Sequence, residues 1–189
     1  MPVAREMTTW ETAWAGVGQP VGEHPSPPGP QVTPLQMALI AAGIANDGVV
    51  MRPYVVDAVS DRTGSVLTKT TPRSWKNALD AATAARVTDM MVTVVESGSG
   101  RRAAIAGVKV AGKTGTAQKV KEDGSGYDDY RFVASFVGMV PATDPELVVL
   151  VMVDEPTREH LGGLVAAPAF SKIAEFALKK LGIAPTIAN

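Results

Sequence analysis

The chain has 189 residues, 46% apolar and 20% charged, with 18 Gly and 14 Pro, a balance that fits one globular domain and excludes a disordered, collagenous or coiled-coil chain. Its 18 basic and 19 acidic side chains sum to −1, so no cationic excess exists to neutralise a phosphate backbone, and nucleic acid is not an expected partner. With no Cys and two His (His24, His160), disulfides, thiolate nucleophiles and ordinary zinc sites are excluded, and neither metal nor cofactor is expected.

The longest strongly apolar run is 147–153, far below the roughly 20 residues that span a bilayer. Arg5, Glu6 and Glu11 interrupt any signal-like stretch near the start, so the chain reads as soluble and without an address. Residues 20–30, PVGEHPSPPGP, hold five prolines and two glycines; they read as an exposed loop or linker, or as part of a disordered tail over 1–30. Trp10 and Trp14 argue for some packing there.

Regular structure is predicted from Thr33, where an N-cap, Pro34 at the first helical position and Gln36 make a capping box. The helix should stop at Asn46-Asp47-Gly48, and because LQMALIAAGIA is apolar nearly all round it should be covered on several sides. A strand is expected over 54–59, then a turn at 61–64 and a polar connection to Asp80. A second helix begins there, with Val87, Met90, Met91, Val94 and Val95 on its buried face, and ends at 97–100.

Three strands follow. Residues 105–118 alternate, placing Val108, Val110, Thr114 and Thr116 on one face and Lys109, Ala111, Lys113 and Gly115 on the other. Residues 132–140 and 147–153 are apolar on both faces, as strands between two layers must be. Short connections make the strands antiparallel. Pro168 is expected to open a last helix whose stripe is Phe170, Ile173, Ala174, Ala177, Leu178 and Leu181, closed by Gly182. The fold class is α+β, an antiparallel sheet sandwiched by helices.

Two motifs share one lysine. Gly107 to Thr114 fits G-x-x-x-x-G-K-[ST], the phosphate loop of a nucleotide hydrolase. Such a loop needs a helix N-terminus directly after the lysine, whereas Val-Lys-Val-Ala alternates like a strand and Thr-Gly-Thr follows. The competing motif is Lys113-Thr114-Gly115-Thr116, a K-T-G on an extended segment. There Lys113 offers fixed positive charge, the Thr114 and Thr116 hydroxyls can bond a carboxylate, Gly115 clears space for a ligand, and the Thr116 amide can face an oxyanion.

VTPLQMALIAAGIANDGVVMRPYVV (32–56), VAGKTGTAQ (110–118), ASFVGMVPATDPELVVLVMVDEP (134–156) and GGLVAAPAF (162–170) together resemble class B penicillin-binding proteins, the D,D-transpeptidases that cross-link peptidoglycan. The resemblance implies a penicillin-binding protein/β-lactamase-like fold, incomplete in this chain, with 1–31 as an N-terminal segment and proline-rich loop and 32–189 as the C-terminal part of the transpeptidase domain. It implies that Lys113, Thr114, Gly115 and Thr116 form a substrate site, Lys113 and Thr116 being catalytic, for the D-Ala-D-Ala end of a stem peptide or for a β-lactam. It also implies a place at the extracytoplasmic face of the bacterial membrane through an anchor outside these residues.

In that family the nucleophile is the serine of S-x-x-K, and S-x-N completes the proton relay. No serine among the nine here (26, 60, 65, 74, 97, 99, 125, 135, 171) has Lys three positions later or Asn two later. The expectation is therefore a chain inactive alone that works with an upstream half carrying both motifs. A non-catalytic binding module derived from the same fold and the nucleotide hydrolase are the alternatives. His24 and His160 read as solvated loop residues, and Asp154 and Glu155 as solvated groups pointing to opposite faces of an extended chain. Residues 119–131 read as a mobile hairpin loop that could gate the K-T-G strand.

Overall fold

The computed structural model describes residues 8–9, 32–123 and 125–185; the readings on Trp10, Trp14, His24 and residues 20–30 lie outside them. Helix α1 is Pro34–Ala45, and the capping box forms as expected: Gln36 N–H donates to Thr33 Oγ1 at 3.2 Å and Thr33 N–H donates to Gln36 Oε1 at 2.8 Å. Its cover is not what the composition predicts. Ala41 and Gly43 are buried, but Leu35 and Ile40 are 57% and 54% exposed, because the helix packs on the sheet along one side only.

Residues 49–77 form two small ribbons in place of the single strand expected over 54–59. Strand β1 (Val49–Met51) pairs with β4 (Ser74–Asn77), and β2 (Ala58–Ser60) pairs with β3 (Val66–Lys69). Asp61 sets the β2–β3 turn by accepting from Thr63 N–H, Thr63 Oγ1 and Ser65 N–H.

Helix α2 (Ala81–Glu96) starts on Asp80, whose carboxylate accepts from Thr83 N–H at 2.8 Å. It buries Ala84, Met91, Val92 and Val95; Met90, expected inside, is 61% exposed. A single 3₁₀ turn over Arg101–Ala103 follows.

The main sheet is antiparallel in the order β5-β6-β7, comprising Ala111–Val120, Tyr127–Val140 and Leu147–Asp154. Strand β5 begins six residues later than expected, since Gly107 takes φ +72° and Ile105 bridges back to Val108. The segment 107–114 runs into a strand, with no helix after Lys113 until Gly162, which removes the phosphate-loop reading. Residues 119–131 are mostly ribbon rather than loop, because β5 reaches Val120 and β6 starts at Tyr127.

Helix α3 is Gly162–Leu181 and encloses Pro168 instead of starting there. Its buried stripe is Ala166, Ala167, Phe170, Ala174 and Leu178, while Ile173 and Leu181, expected in it, are 49% and 60% exposed. Gly182 ends the helix at φ +70°.

Helix α3 covers one sheet face, where Phe136 and Phe170 are fully buried with ring centroids 4.8 Å apart. The other face carries Ala111 and Met139 against Met91 and Val92 of α2, with Ile44 and Ala45 of α1 alongside. Val95 places α2 in the first cluster as well. The α+β sandwich is as the sequence predicts.

Candidate functional site

Among the described residues strand β5 borders β6 alone, and Lys113-Thr114-Gly115-Thr116 lies on it opposite Val137, Phe136, Ser135 and Ala134. Alternation puts Lys113 and Gly115 on the helix α1/α2 face and Thr114 and Thr116 on the α3 face. Lys113 is exposed, and its Nζ donates to Thr114 O at 2.7 Å. A methyl group on Gly115 would lie 2.3 Å from Ser135 Oγ, so a side chain there would require the Ser135 hydroxyl to turn away.

Each threonine hydroxyl has a partner. Thr116 Oγ1 accepts the backbone N–H of Gly162, the first residue of α3, at 3.0 Å, which leaves its own proton free to donate. Thr114 Oγ1 lies 2.8 Å from Ser99 Oγ. The two glycines opening α3 permit this closeness: a methyl at Gly162 would lie 2.3 Å from the Gly115 and Ser135 carbonyl oxygens, and one at Gly163 would lie 2.1 Å from Ser99 O. A helix N-terminus, with its partial positive charge, therefore abuts two hydroxyls on the strand that carries Lys113, a donor-rich arrangement suited to an anionic group.

The structure brings Lys113, Thr114, Gly115 and Thr116 together with two groups that the sequence reading missed. Ser99 sits in a Ser-Gly run that signals only a helix end, and Gly162 looks like a breaker rather than a donor.

Past the K-T-G, the carboxylates of Asp154 and Glu155 converge instead of diverging. Glu155 adopts φ +48°, which breaks the extended geometry, and Lys119 Nζ bridges the two at 2.8 Å (Asp154 Oδ1) and 2.7 Å (Glu155 Oε1). Both carboxylates hold the Lys119 ammonium above the ordinary lysine range, Asp154 contributing most. Asp128 is held below the usual carboxylate range by the Tyr130 backbone N–H and by Arg131, whose Nε donates to it at 2.8 Å. His160 is an exposed loop residue, as expected, and in addition stacks on Phe132 with ring centroids 4.2 Å apart.

The sequence matches the family described as the penicillin binding protein transpeptidase domain over residues 15–175. The chain belongs to that family. It is 48% identical over 112 residues to the probable peptidoglycan D,D-transpeptidase PbpC of Pseudomonas aeruginosa, covering 58% of this chain and 20% of that one. Its fold superposes on the D,D-transpeptidase domain of a peptidoglycan glycosyltransferase from Eggerthella lenta with a TM-score of 0.83 and 39% identity, over 97% of this chain and 42% of that one. A ceftriaxone acyl-enzyme complex of penicillin-binding protein A from M. tuberculosis gives a TM-score of 0.70 at 34% identity, over 78% of this chain and 32% of that one. The chain thus spans less than half the length of each of these relatives. Among the described residues no helix is long and apolar enough to cross a membrane.

Proposed function

We propose that this chain supplies the substrate-carboxylate and oxyanion wall of a peptidoglycan D,D-transpeptidase. The observation that carries the reading is the convergence of the Thr116 hydroxyl, the Gly162 amide and the paired Thr114 and Ser99 hydroxyls on the strand that bears Lys113. A stem peptide ending in D-Ala-D-Ala, or a β-lactam, would lay its carboxylate against Thr114 and Thr116 with Lys113 supplying counter-charge. The Thr116 backbone N–H would then donate to the oxyanion of the tetrahedral intermediate, a contribution of roughly 3 kcal/mol per donor in comparable sites.

The acyl transfer needs a serine activated by lysine, and the 189 residues contain neither S-x-x-K nor S-x-N. That serine's Oγ would attack the carbonyl of the penultimate D-Ala, the terminal D-Ala would leave with the proton, and an amine would later displace the serine from the acyl group. A second part of the domain carries those motifs in this reading and covers the apolar outer face of α1. A relative named as a probable peptidoglycan D,D-transpeptidase and another solved as a ceftriaxone acyl-enzyme support the reading, in which the site faces the extracytoplasmic side of the membrane.

The test is labelling with a fluorescent penicillin. The isolated chain should form no stable covalent adduct, and joining it to the S-x-x-K-bearing part of a transpeptidase should create one that Thr116→Val weakens. A stable adduct on the isolated chain, or labelling indifferent to Thr116, would refute the assignment.

A further inference from the structure

The segment from Glu155 to Gly162 is tied to β5 at both of its ends. At one end Glu155 N–H donates to Phe132 O at 2.9 Å, and its carboxylate meets Lys119 Nζ at 2.7 Å. At the other, Gly162 N–H donates to Thr116 Oγ1 at 3.0 Å. In between, His160 stacks on Phe132, the residue paired with Gln118. This strap therefore leaves β7, crosses β6 at Phe132 and reaches β5 at Thr116, three positions before Lys119. Lys119 is the position skipped by the strand register, which passes from Gln118↔Phe132 to Val120↔Tyr127, so its direction is set by the two carboxylates rather than by the ladder.

We propose that Lys119 is a positioning residue: by clamping Glu155 it fixes the strap, and the strap in turn holds the Gly162 N–H on the Thr116 hydroxyl. The clamp is electrostatic and the Glu155 backbone is left-handed, so the unclamped strap has a more relaxed conformation available. Asp154 holds the ammonium on the sheet side, and Arg131 Nη1 approaches Glu155 at 4.0 Å while its Nε is engaged by Asp128 at 2.8 Å, so removing Lys119 leaves Glu155 with the longer of its two ion pairs. Without the clamp the strap would move away from β5, and Thr116 would lose the donor that orients its hydroxyl. The consequence for catalysis rests on the reading of Thr116 given above; the mechanical link does not.

The first N–H of a helix has no intrahelical acceptor, so amide exchange at Gly162 reports its bond to Thr116 directly. The experiment compares, by NMR on the full chain, the wild type with Lys119→Met, Lys119→Arg and Glu155→Asn, asparagine being tolerant of a left-handed backbone. Gly162 exchange should rise about two- to fivefold in Lys119→Met and in Glu155→Asn, no further in the double variant, and stay near wild type in Lys119→Arg. Val137 and Val151, in the ladder, should keep their rates. An unchanged Gly162 rate in Lys119→Met overturns the proposal. So does a uniform rise across the ladder that arginine does not repair, since Lys119 would then merely hold the sheet together.

In the transpeptidase assembled with its serine-bearing part, Lys119→Met should weaken penicillin binding more than it slows the following acylation, with Lys119→Arg restoring binding. An exchange effect without this binding effect would keep the clamp and remove Thr116 from the substrate site. Loss of binding without an exchange effect would overturn the clamp.

Discussion

Thr116 Oγ1 receives the backbone N–H of Gly162 at 3.0 Å, so the side chain proposed to bind the substrate carboxylate also caps the helix that packs behind it. One hydroxyl thus couples the site to the core, because α3 carries Phe170 and Leu178 into the main cluster.

Replacing Thr116 by Val keeps the shape and removes the acceptor. Gly162 is buried, so its N–H loses its partner at a cost of about 1–3 kcal/mol, measurable as a shift of the urea midpoint, while Thr116→Ser should cost far less. Lys113→Met should leave that midpoint unchanged, since Lys113 is exposed, and should slow penicillin acylation of the assembled enzyme about ten- to hundredfold. Equal loss of stability in both variants would contradict the separation of roles.

Much of this was legible in the sequence for identifiable reasons. Thr33 and Gln36 announced a helix start because a capping box is local chemistry, and the apolar runs at 132–140 and 147–153 announced strands because a sheet covered on both faces needs apolar residues at every position. The K-T-G strand followed from alternation. Strands β3 and β4 did not follow, since both are exposed on every residue and leave no burial pattern to read. Ser99 and Gly162 were hidden because their role depends on a contact between distant parts of the chain. The pairing of Asp154 with Glu155 on one lysine was misread because alternation assumes an extended backbone, and Glu155 at φ +48° is not extended. Met90, Ile173 and Leu181 are apolar at helical spacing yet exposed, which periodicity alone cannot distinguish from burial.

Gly162→Ala should be among the more damaging single-methyl changes in the chain. The added carbon would meet two backbone carbonyls at 2.3 Å, and neither can rotate away, so the start of α3 must lift from β5. Overpacking of this kind costs about 1–3 kcal/mol. Gly126→Ala is the contrast: its φ of +127° is strained for alanine, but nothing lies within 4 Å, so any loss there is conformational and local to the hairpin. Urea melts of the two variants should separate in that order, with loss of Gly162 amide protection in the first alone.

The pH dependence follows from the direction of each shift. Asp61, Asp80 and Asp128 are held below the ordinary carboxylate value of about 3.9, each chiefly by hydrogen bonds: Thr63 for Asp61, Thr83 for Asp80, and the Tyr130 amide for Asp128. Their contribution is present above that value and is lost as pH falls through the lowered ones. Lys119 is raised, so its contribution is full below the ordinary lysine value of about 10.4 and is lost as pH rises through the raised one. Thermal melts should therefore fall off in acid and in strong alkali, with Lys119→Met removing part of the alkaline limb. An alkaline limb of unchanged size in that variant would show that the clamp contributes nothing to folding.

The outer face of α1 offers the sharpest test of how the domain is completed. Leu35 and Ile40 are more than half exposed, Trp75 on β4 is 59% exposed, and the outer edge of β7, unpaired among the described residues, is an eight-residue, mostly apolar strand without proline or lysine. Unpaired edges and large exposed apolar side chains associate unless something covers them. The double change Leu35→Glu/Ile40→Glu replaces side chains already in water, so the urea midpoint of the isolated chain should move by no more than about 0.5 kcal/mol per site while its self-association falls. Combined with the serine-bearing part, the same chain should fail to restore penicillin labelling, because two carboxylates would have to be buried at an apolar joint. Light scattering gives the first outcome and fluorescent penicillin the second. Labelling at the wild-type level would mean that the catalytic part joins elsewhere, the β7 edge then being the next surface to block.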